Sequence, residues 1–432
     1  MGGAPPPSEA WRGSLNVSYN VGPGFLATRA SWRVRMLVRT QNQVRRIYNV
    51  VGTIHGAVEP DRWVILGGHR DTWVFGGIDP MTGAATLQEV AKVTGAMRRS
   101  GWRPRRSLKL CSWDAEEFGL QGSTEWVEDK AQVLLSRAVA YINADSAIEG
   151  NFTLRVDSSP MLHRLVYSVA KQVPSPDEGQ EGRSLYDTWL ARDPSSTNRS
   201  LPNINKLGSG SDFEAFFQRL GISAARARYT KNKRGPRYSG YPAYHSASET
   251  FDLVERFYDG GFPRHLAVAR VRGLLALALA AAPLLPLDCR DYGPQLRSHA
   301  EAVAAVARTR GVEAGPGFAS LFQAIDNFTA AAENFHAAIG GLDMENVMAL
   351  RMANDRLMLL ERAFTDPLGL PGRPFYRHVV FAPSSHNKYA GEAFPGVYDS
   401  LFIADAAEAR TETERNLAVA AFTVQAAAGT LA

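Results

Sequence analysis

Two adjacent carboxylates, Glu116 and Glu117, stand where an apolar run ending at Trp113 gives way to a turn that contains Gly119. The turn after a strand can direct neighbouring side chains into one cavity. One acid can then bind a metal ion while the other stays free to transfer a proton. Most acid pairs of this kind are solvated surface groups. The pair therefore indicates catalysis only together with other polar residues in similar positions.

Histidines and aspartates occupy comparable points of the chain, just after apolar runs or near turns: His69, Asp71, Asp79, Asp145 and His245. Two imidazoles with several carboxylates favour zinc, since hard cations prefer oxygen ligands alone. The set is too large for one tetrahedral ion, but it suits two ions about 3.5–4 Å apart that share a bridging carboxylate. Asp71 is placed to hold the second ring nitrogen of His69. The alternative, scattered polar groups, would leave these charges buried without partners.

Strand-like and helical patterns alternate from residue 47 to about residue 230, which predicts an α/β domain with a largely parallel sheet. Sites in such sheets gather at the carboxyl ends of strands, where the candidate residues fall. Polar–apolar alternation over 32–38 predicts edge strands before this domain. After Pro283, amphipathic segments rich in Ala and Leu predict an antiparallel helical bundle over 297–309, 318–338, 344–363 and 405–428. The predicted domains are 1–45, 46–282 and 283–432.

Composition excludes some classes of protein. A net charge of +5 over 432 residues, with basic groups that lack interleaved aromatics, argues against nucleic-acid binding. Cys111, one of only two cysteines, lies in an apolar strand and predicts a buried thiol. The longest apolar run, 273–287, is too short to span a bilayer, and no leader with an apolar core is recognised at the start. Four Asn-x-Ser/Thr sequons favour a secreted or luminal face: Asn16, Asn151, Asn198 and Asn327.

Five segments carry a resemblance to a known family: GHRDTWVFGGID (68–79), SWDAEEFG (112–119), YINADS (141–146), YPAYH (241–245) and SSHNKYAGE (384–392). Over nearly its whole length the chain resembles glutamate carboxypeptidase II and the N-acetylated-alpha-linked acidic dipeptidases, most of all their dipeptidase 2 branch. The resemblance implies a dizinc-peptidase-like mixed sheet flanked by helices, followed by an all-α dimerisation domain. It also implies that residues 1–45 are the remnant of an apical protease-associated domain and that the first part of the peptidase domain is missing.

The resemblance implies two zinc ions per chain. His69 and Asp145 would hold one, Glu117 and His245 the other, and Asp79 would bridge them. Asp71 would orient His69, as the residues themselves suggest. Glu116 would be the general base that takes a proton from the zinc-bridging water and passes it to the leaving amine.

The same resemblance implies an acidic peptide substrate, such as N-acetyl-aspartyl-glutamate or a poly-gamma-glutamate, from which C-terminal glutamate is released. The matching pocket positions are Gly119, Leu120, Gly210, Tyr244, Lys388 and Tyr389, and an arginine patch at Arg155, Arg226 and Arg228 would favour a second acidic residue. Three guanidiniums near one site independently favour an anion. Glu125 and Glu128 match part of a structural calcium site.

The resemblance further implies a homodimer formed through the helical domain and a location on the extracellular face of the plasma membrane, held by an N-terminal anchor that this chain lacks. A truncated chain of this kind could be weakly active or inactive. Two alternatives stay open at this point. One is a non-enzymatic receptor of transferrin-receptor-like fold, which would lack the metal ligands, and the other is a dizinc aminopeptidase or dipeptidyl peptidase.

Overall fold

The computed structural model describes residues 2–11, 16–233, 240–312, 315–385, 387 and 389–432. Nine strands form its sheets: β1 (Val50–Ile54), β2 (Glu59–His69), β3 (Arg106–Trp113), β4 (Ala138–Asn143), β5 (Thr153–Ser158), β6 (Ile204–Asn205), β7 (Ala224–Thr230), β8 (Phe381–Pro383) and β9 (Gly391–Ala393).

The first seven strands make one mixed sheet in the order β1-β3-β2-β4-β7-β5-β6. Strands β3, β2, β4 and β7 run parallel, whereas β1 is antiparallel to β3 and β5 is antiparallel to β7. The central strands are continuous apolar runs, such as 64–66 and 140–142, and their side chains are fully buried. Such runs are typical of a sheet that helices cover on both faces.

The described part of the chain also contains twelve α-helices: α1 (Met81–Arg99), α2 (Gln121–Asp129), α3 (Ala131–Arg137), α4 (His163–Gln172), α5 (Leu185–Arg192), α6 (Phe251–Leu253), α7 (Pro263–Ala281), α8 (Tyr292–Thr309), α9 (Gly317–Gly340), α10 (Val347–Ala363), α11 (Pro395–Ser400) and α12 (Ala406–Leu431). Helix α7 packs on α1 and crosses β2, β3, β4 and β7. Helix α12 lies along α9 and contacts α10, which completes a helical region after the sheet. The predicted α/β sheet followed by helices is confirmed, and the exact domain boundaries stay predictions.

A buried carboxylate, Glu361 of α10, joins this helical region to the sheet. It accepts hydrogen bonds from the hydroxyls of Ser159 and Tyr292, from Ser223 Oγ at 3.0 Å and from His378 Nε2 at 3.0 Å. The Nδ1 atom of His378 accepts two backbone N–H groups, so the proton of the neutral ring lies on Nε2. We call these five side chains the Glu361 cluster. Every one of them is shielded from solvent or nearly so.

The prediction of edge strands over 32–38 is wrong. Residues 31–49 contain no strand, and the side chains of Val34 and Met36 are 78% and 82% exposed. Alternation alone does not form a strand, because a strand also needs a neighbour that pairs with its backbone. The thiols of Cys111 and Cys289 are both free and buried, as predicted for Cys111. Among the described helices, none has the length and apolar character required to cross a bilayer.

Candidate metal centre

The parallel strands β3, β2 and β4 bring the candidate ligands together. His69 is the last residue of β2 and pairs in register with Trp113, the last residue of β3. Asp145 follows β4, whose final residue pairs with Gly67 of β2. Because parallel neighbours end at the same edge of a sheet, the acids that follow β3 lie beside His69 and Asp145.

Two groups of ligands meet at Asp79. Nε2 of His69 lies 3.2 Å from Asp79 Oδ1 and 3.4 Å from Asp145 Oδ1. Nε2 of His245 lies 3.2 Å from Asp79 Oδ2 and 3.1 Å from Glu117 Oε2. Each group has one imidazole nitrogen and two carboxylate oxygens within 4.8 Å of one another, and Asp79 gives one oxygen to each. This is the arrangement expected for two cations that share a carboxylate.

The buried carboxylates of the centre repel one another, and bound cations would relieve this repulsion. Oδ1 of Asp79 is shielded from solvent and accepts no hydrogen bond from the residues that the structure describes. Burial, followed by repulsion from Asp79, raises the pKa of Glu117 to about 7, and burial raises the pKa of Glu116 well above its usual range. Burial opposes a charge on His69, yet the hydrogen bonds and charges of Asp145 and the other neighbouring acids raise its pKa well above the usual value. A pair of zinc ions fits this donor set, since it replaces bound protons and neutralises crowded acids.

Asp71 organises both sides of the centre. Its backbone carbonyl accepts Nδ1–H of His69 at 3.0 Å, which leaves Nε2 unprotonated for a metal. Its carboxylate accepts the amides of Glu116 at 3.0 Å and Glu117 at 3.1 Å. The carboxylate lies 3.6 Å from His69 Nδ1, so the predicted orientation of His69 comes mainly from the carbonyl.

Sequence reasoning missed Glu249, a buried residue that anchors two metal-ligand loops. Its carboxylate accepts the backbone amide of Asp79 at 2.6 Å and that of His245 at 2.9 Å. The hydroxyl of Tyr241 donates to it at 2.7 Å. The only signal was an acid four residues after a histidine, and nothing in that spacing separates an anchor from a surface group.

Arg272 was missed as well. Its side chain is completely buried in α7 and donates to the backbone carbonyls of Asp145 at 2.5 Å and Ala227 at 2.9 Å. It thereby fixes the main chain just after β4 and in the middle of β7. Ser211 donates its hydroxyl to Asp145 Oδ2 at 2.6 Å, and a π-helical turn follows at 215–219.

A cleft of about 380 Å³ opens over the centre. The predicted substrate residues that the structure describes all line it: Gly119, Leu120, Arg155, Gly210, Arg226, Arg228, Tyr244 and Tyr389. Lys388 lies outside the described residues. The ring of Tyr244 stacks on His245 with a centroid distance of 3.7 Å, and its hydroxyl lies 3.5 Å from that of Tyr389.

The arginine patch already has protein partners. Arg226 lies 3.1 Å from Asp145 and 3.3 Å from Glu149, while Arg228 contacts Glu149 at 2.8 Å. Asp157 completes the group with contacts to Arg228 at 2.7 Å and to Arg155 at 3.1 Å. The guanidiniums therefore do not by themselves require an external anion, which weakens that part of the sequence argument.

The remaining candidate residues lie on the surface. Glu125 and Glu128 are exposed on α2, and Glu128 pairs with Arg219, so a calcium site there stays a prediction. The four sequon asparagines are all exposed, as glycosylation requires, and their modification likewise stays a prediction.

Comparison with known proteins adds independent findings. Residues 49–257 match the model of peptidase family M28, and residues 317–432 match that of the transferrin receptor-like dimerisation domain. Aminopeptidase NAALADL1 of Rattus norvegicus is 39% identical over 98% of this chain and 58% of its own length. The probable glutamate carboxypeptidase LAMP1 of Arabidopsis thaliana is 37% identical over 89% of this chain and 52% of its own length. The chain thus spans about half the length of these curated relatives.

Proposed function

Because this chain belongs to the glutamate carboxypeptidase-like members of peptidase family M28, we propose that it is a zinc exopeptidase that releases C-terminal glutamate from acidic peptides. The observation that supports this most is the pair of ligand groups that share Asp79. Beside them, Glu116 belongs to neither group, and its Oε2 lies 3.8 Å from His69 Nε2. An acid that adjoins the ligands without being one has the position of a proton carrier.

Each residue then has a defined task. Bound at the two groups, zinc would supply an activated water and would polarise the scissile carbonyl. Glu116 takes a proton from the attacking water and delivers it to the leaving amine. Burial raises the pKa of Glu116 well above its usual range, so this carboxylate holds a proton more readily than an ordinary glutamate does.

Preference for acidic peptides is supported by the cleft wall opposite the ligands. Arg155 keeps 30% of its side chain exposed there, and Tyr389 is 57% exposed. A carboxylate that enters can share the N–H groups of Arg155 with Asp157, since a guanidinium carries five donors. The tyrosine hydroxyls of the cleft add neutral donors.

The test measures zinc per chain together with glutamate release from an N-acetylated acidic dipeptide. We expect about two zinc ions per chain and measurable turnover. Glu116→Ala should lower kcat by about 10³-fold with zinc content unchanged, and Glu89→Ala, which removes an exposed acid, serves as the control. Loss of zinc in Glu116→Ala would make Glu116 a ligand. A zinc-free, inactive wild-type chain would favour the receptor alternative.

A second candidate, a dizinc aminopeptidase, is favoured by one observation and one relative. Glu149 and Asp157 line the cleft and could bind a free α-amino group, and the rat relative carries the name of an aminopeptidase. Matched peptides distinguish the two activities. A carboxypeptidase should cleave an N-acetylated peptide with acidic C-terminus, whereas an aminopeptidase should require the free N-terminus.

We also propose that the chain dimerises through its helical region and is glycosylated on an extracellular face. The dimerisation-domain match and the four exposed sequons support this. Sedimentation of a monomer at micromolar concentration, or no mass change after glycosidase treatment of protein from a secretory host, would contradict the respective part. A calcium site at Glu125 and Glu128 belongs to the same set of proposals, and calcium-dependent melting would test it.

A further inference from the structure

A second cavity of about 400 Å³ adjoins the metal cleft. Arg155, Lys206 and Tyr389 line both cavities, so the two cavities lie side by side and share these three side chains. The second cavity lies between the sheet and the helical region, since α8 supplies one of its walls. Its volume falls within the range of small-ligand pockets.

The two cavities differ in charge. Six carboxylates line the metal cleft: Asp79, Glu116, Glu117, Asp145, Glu149 and Asp157. No carboxylate lines the second cavity among the described residues, whereas Arg155 and Lys206 both do. Nζ of Lys206 lies 3.8 Å from Glu392, too far for a hydrogen bond, and 35% of its side chain is exposed. Lys206 thus forms a loose ion pair with Glu392, and Arg155 a closer one with Asp157 at 3.1 Å. The second cavity therefore offers cationic N–H donors that a further carboxylate can share.

Helix α8 adds neutral hydrogen-bonding groups at a helical spacing that places them on one face: Gln295, Ser298 and His299. Nε2 of His299 is shielded from solvent and has no hydrogen-bond partner in the described part of the chain. A buried polar atom without a partner is rare in a folded protein and indicates a missing ligand or water.

We propose that the second cavity binds the side-chain carboxylate of a third acidic residue, counted from the C-terminus of a peptide substrate. This inference rests on the proposed function, because it extends the acidic peptide beyond the two residues that flank the scissile bond. Arg155 and Lys206 give the carboxylate its charge partners. The hydroxyl and amide groups of the cavity accommodate the peptide bonds around it.

The test compares an N-acetylated acidic dipeptide with the acidic tripeptide that has the same two C-terminal residues. The wild-type chain should show a higher kcat/KM for the tripeptide, mainly through a lower KM. Gln295→Glu places a negative charge in the second cavity without touching the metal cleft, and it should remove this advantage, a loss of about tenfold. Gln323→Glu makes the same change at an exposed site of α9 and should leave the advantage intact. Equal values for the two peptides in the wild type would overturn the inference.

Binding separates this inference from the proposed function. In the zinc-loaded Glu116→Gln chain, calorimetry should show that the tripeptide binds more tightly than the dipeptide, and that Gln295→Glu abolishes the difference. That result would support the second cavity even if no turnover is found. Turnover of the dipeptide with no effect of Gln295→Glu on either peptide would contradict the second cavity and leave the proposed function standing.

Discussion

The metal centre and the Glu361 cluster contain similar residue types, but the ratio of carboxylates to hydrogen-bond donors is opposite in the two. In the Glu361 cluster, one carboxylate accepts hydrogen bonds from four side chains. In the metal centre, four carboxylates crowd around two imidazoles, and Oδ1 of Asp79 has no hydrogen-bond partner within the described ranges. A buried carboxylate that contributes to stability accepts hydrogen bonds from several donors. Buried carboxylates that outnumber the nearby donors need a cation to compensate their charge.

The strongest test of this contrast is Glu361→Leu. The change leaves the donors of Tyr292, His378 and two serines buried without an acceptor, so we expect a loss of about 3–5 kcal/mol in the free energy of unfolding. Urea denaturation of the metal-free protein measures it. Glu301→Leu, at an exposed position of α8, is the control and should change stability little. Equal stabilities would show that the Glu361 cluster contributes nothing to folding.

Glu249→Gln tests whether an anchor behind the centre controls the metal. The two carboxylate oxygens of Glu249 accept the backbone N–H groups of Asp79 and His245, whereas a glutamine side chain has only one oxygen. The loops that carry these two residues are therefore held less firmly. We expect zinc affinity to fall about 10–100-fold, as with other groups that hold ligands. Metal-free stability should fall by about 1–3 kcal/mol, because one buried N–H loses its acceptor. Competition with a fluorescent chelator measures this. An unchanged affinity would reduce Glu249 to a purely structural role.

The pH dependence of zinc binding sharpens the contrast further. Protons on Glu117, whose pKa is raised to about 7 by burial and by Asp79, compete with the metal. His69 and His245, whose pKa values the nearby acids raise despite burial, add to this competition. Apparent zinc affinity should therefore fall by at least about tenfold per pH unit below 7. Isothermal titration at pH 5.5, 6.5 and 7.5 should show this fall, and a flat profile would contradict it.

The smallest expected effect is an increase in the stability of the metal-free protein when Glu117 is replaced by glutamine. In the metal-free protein, the raised pKa of Glu117 means that stability decreases as pH rises from about 4.5, its ordinary value, to about 7. Glu117→Gln removes the charge and should stabilise the metal-free protein at pH 8 by about 1 kcal/mol. The zinc-loaded protein should instead lose stability on the same change. Thermal melts with and without chelator distinguish the two responses.

The sequence was sufficient to bring His69, Glu117 and Asp145 together, because each ends or closely follows an apolar strand and parallel strands end together. Asp79 and His245 lie in loops well beyond their strands, and only the family resemblance gave them defined places in the centre.

The sequence was sufficient for the helical region because long segments with helical apolar spacing rarely form anything other than helices. It was not sufficient for Glu249 and Arg272, whose contacts run from side chain to backbone across 170 and 127 residues. Nor could it show that carboxylates of the protein neutralise the arginine patch, since ion pairing depends on the three-dimensional register of β5 against β7.

Asp71 holds the ring of His69 through its carbonyl and the backbone of Glu116 and Glu117 through its carboxylate. One residue thus sets the distance between the candidate metal-binding atom of His69 and Glu116, the proposed proton carrier. A shift of β2 relative to β3 would have to break hydrogen bonds of Asp71 before the distance between His69 and Glu116 could change.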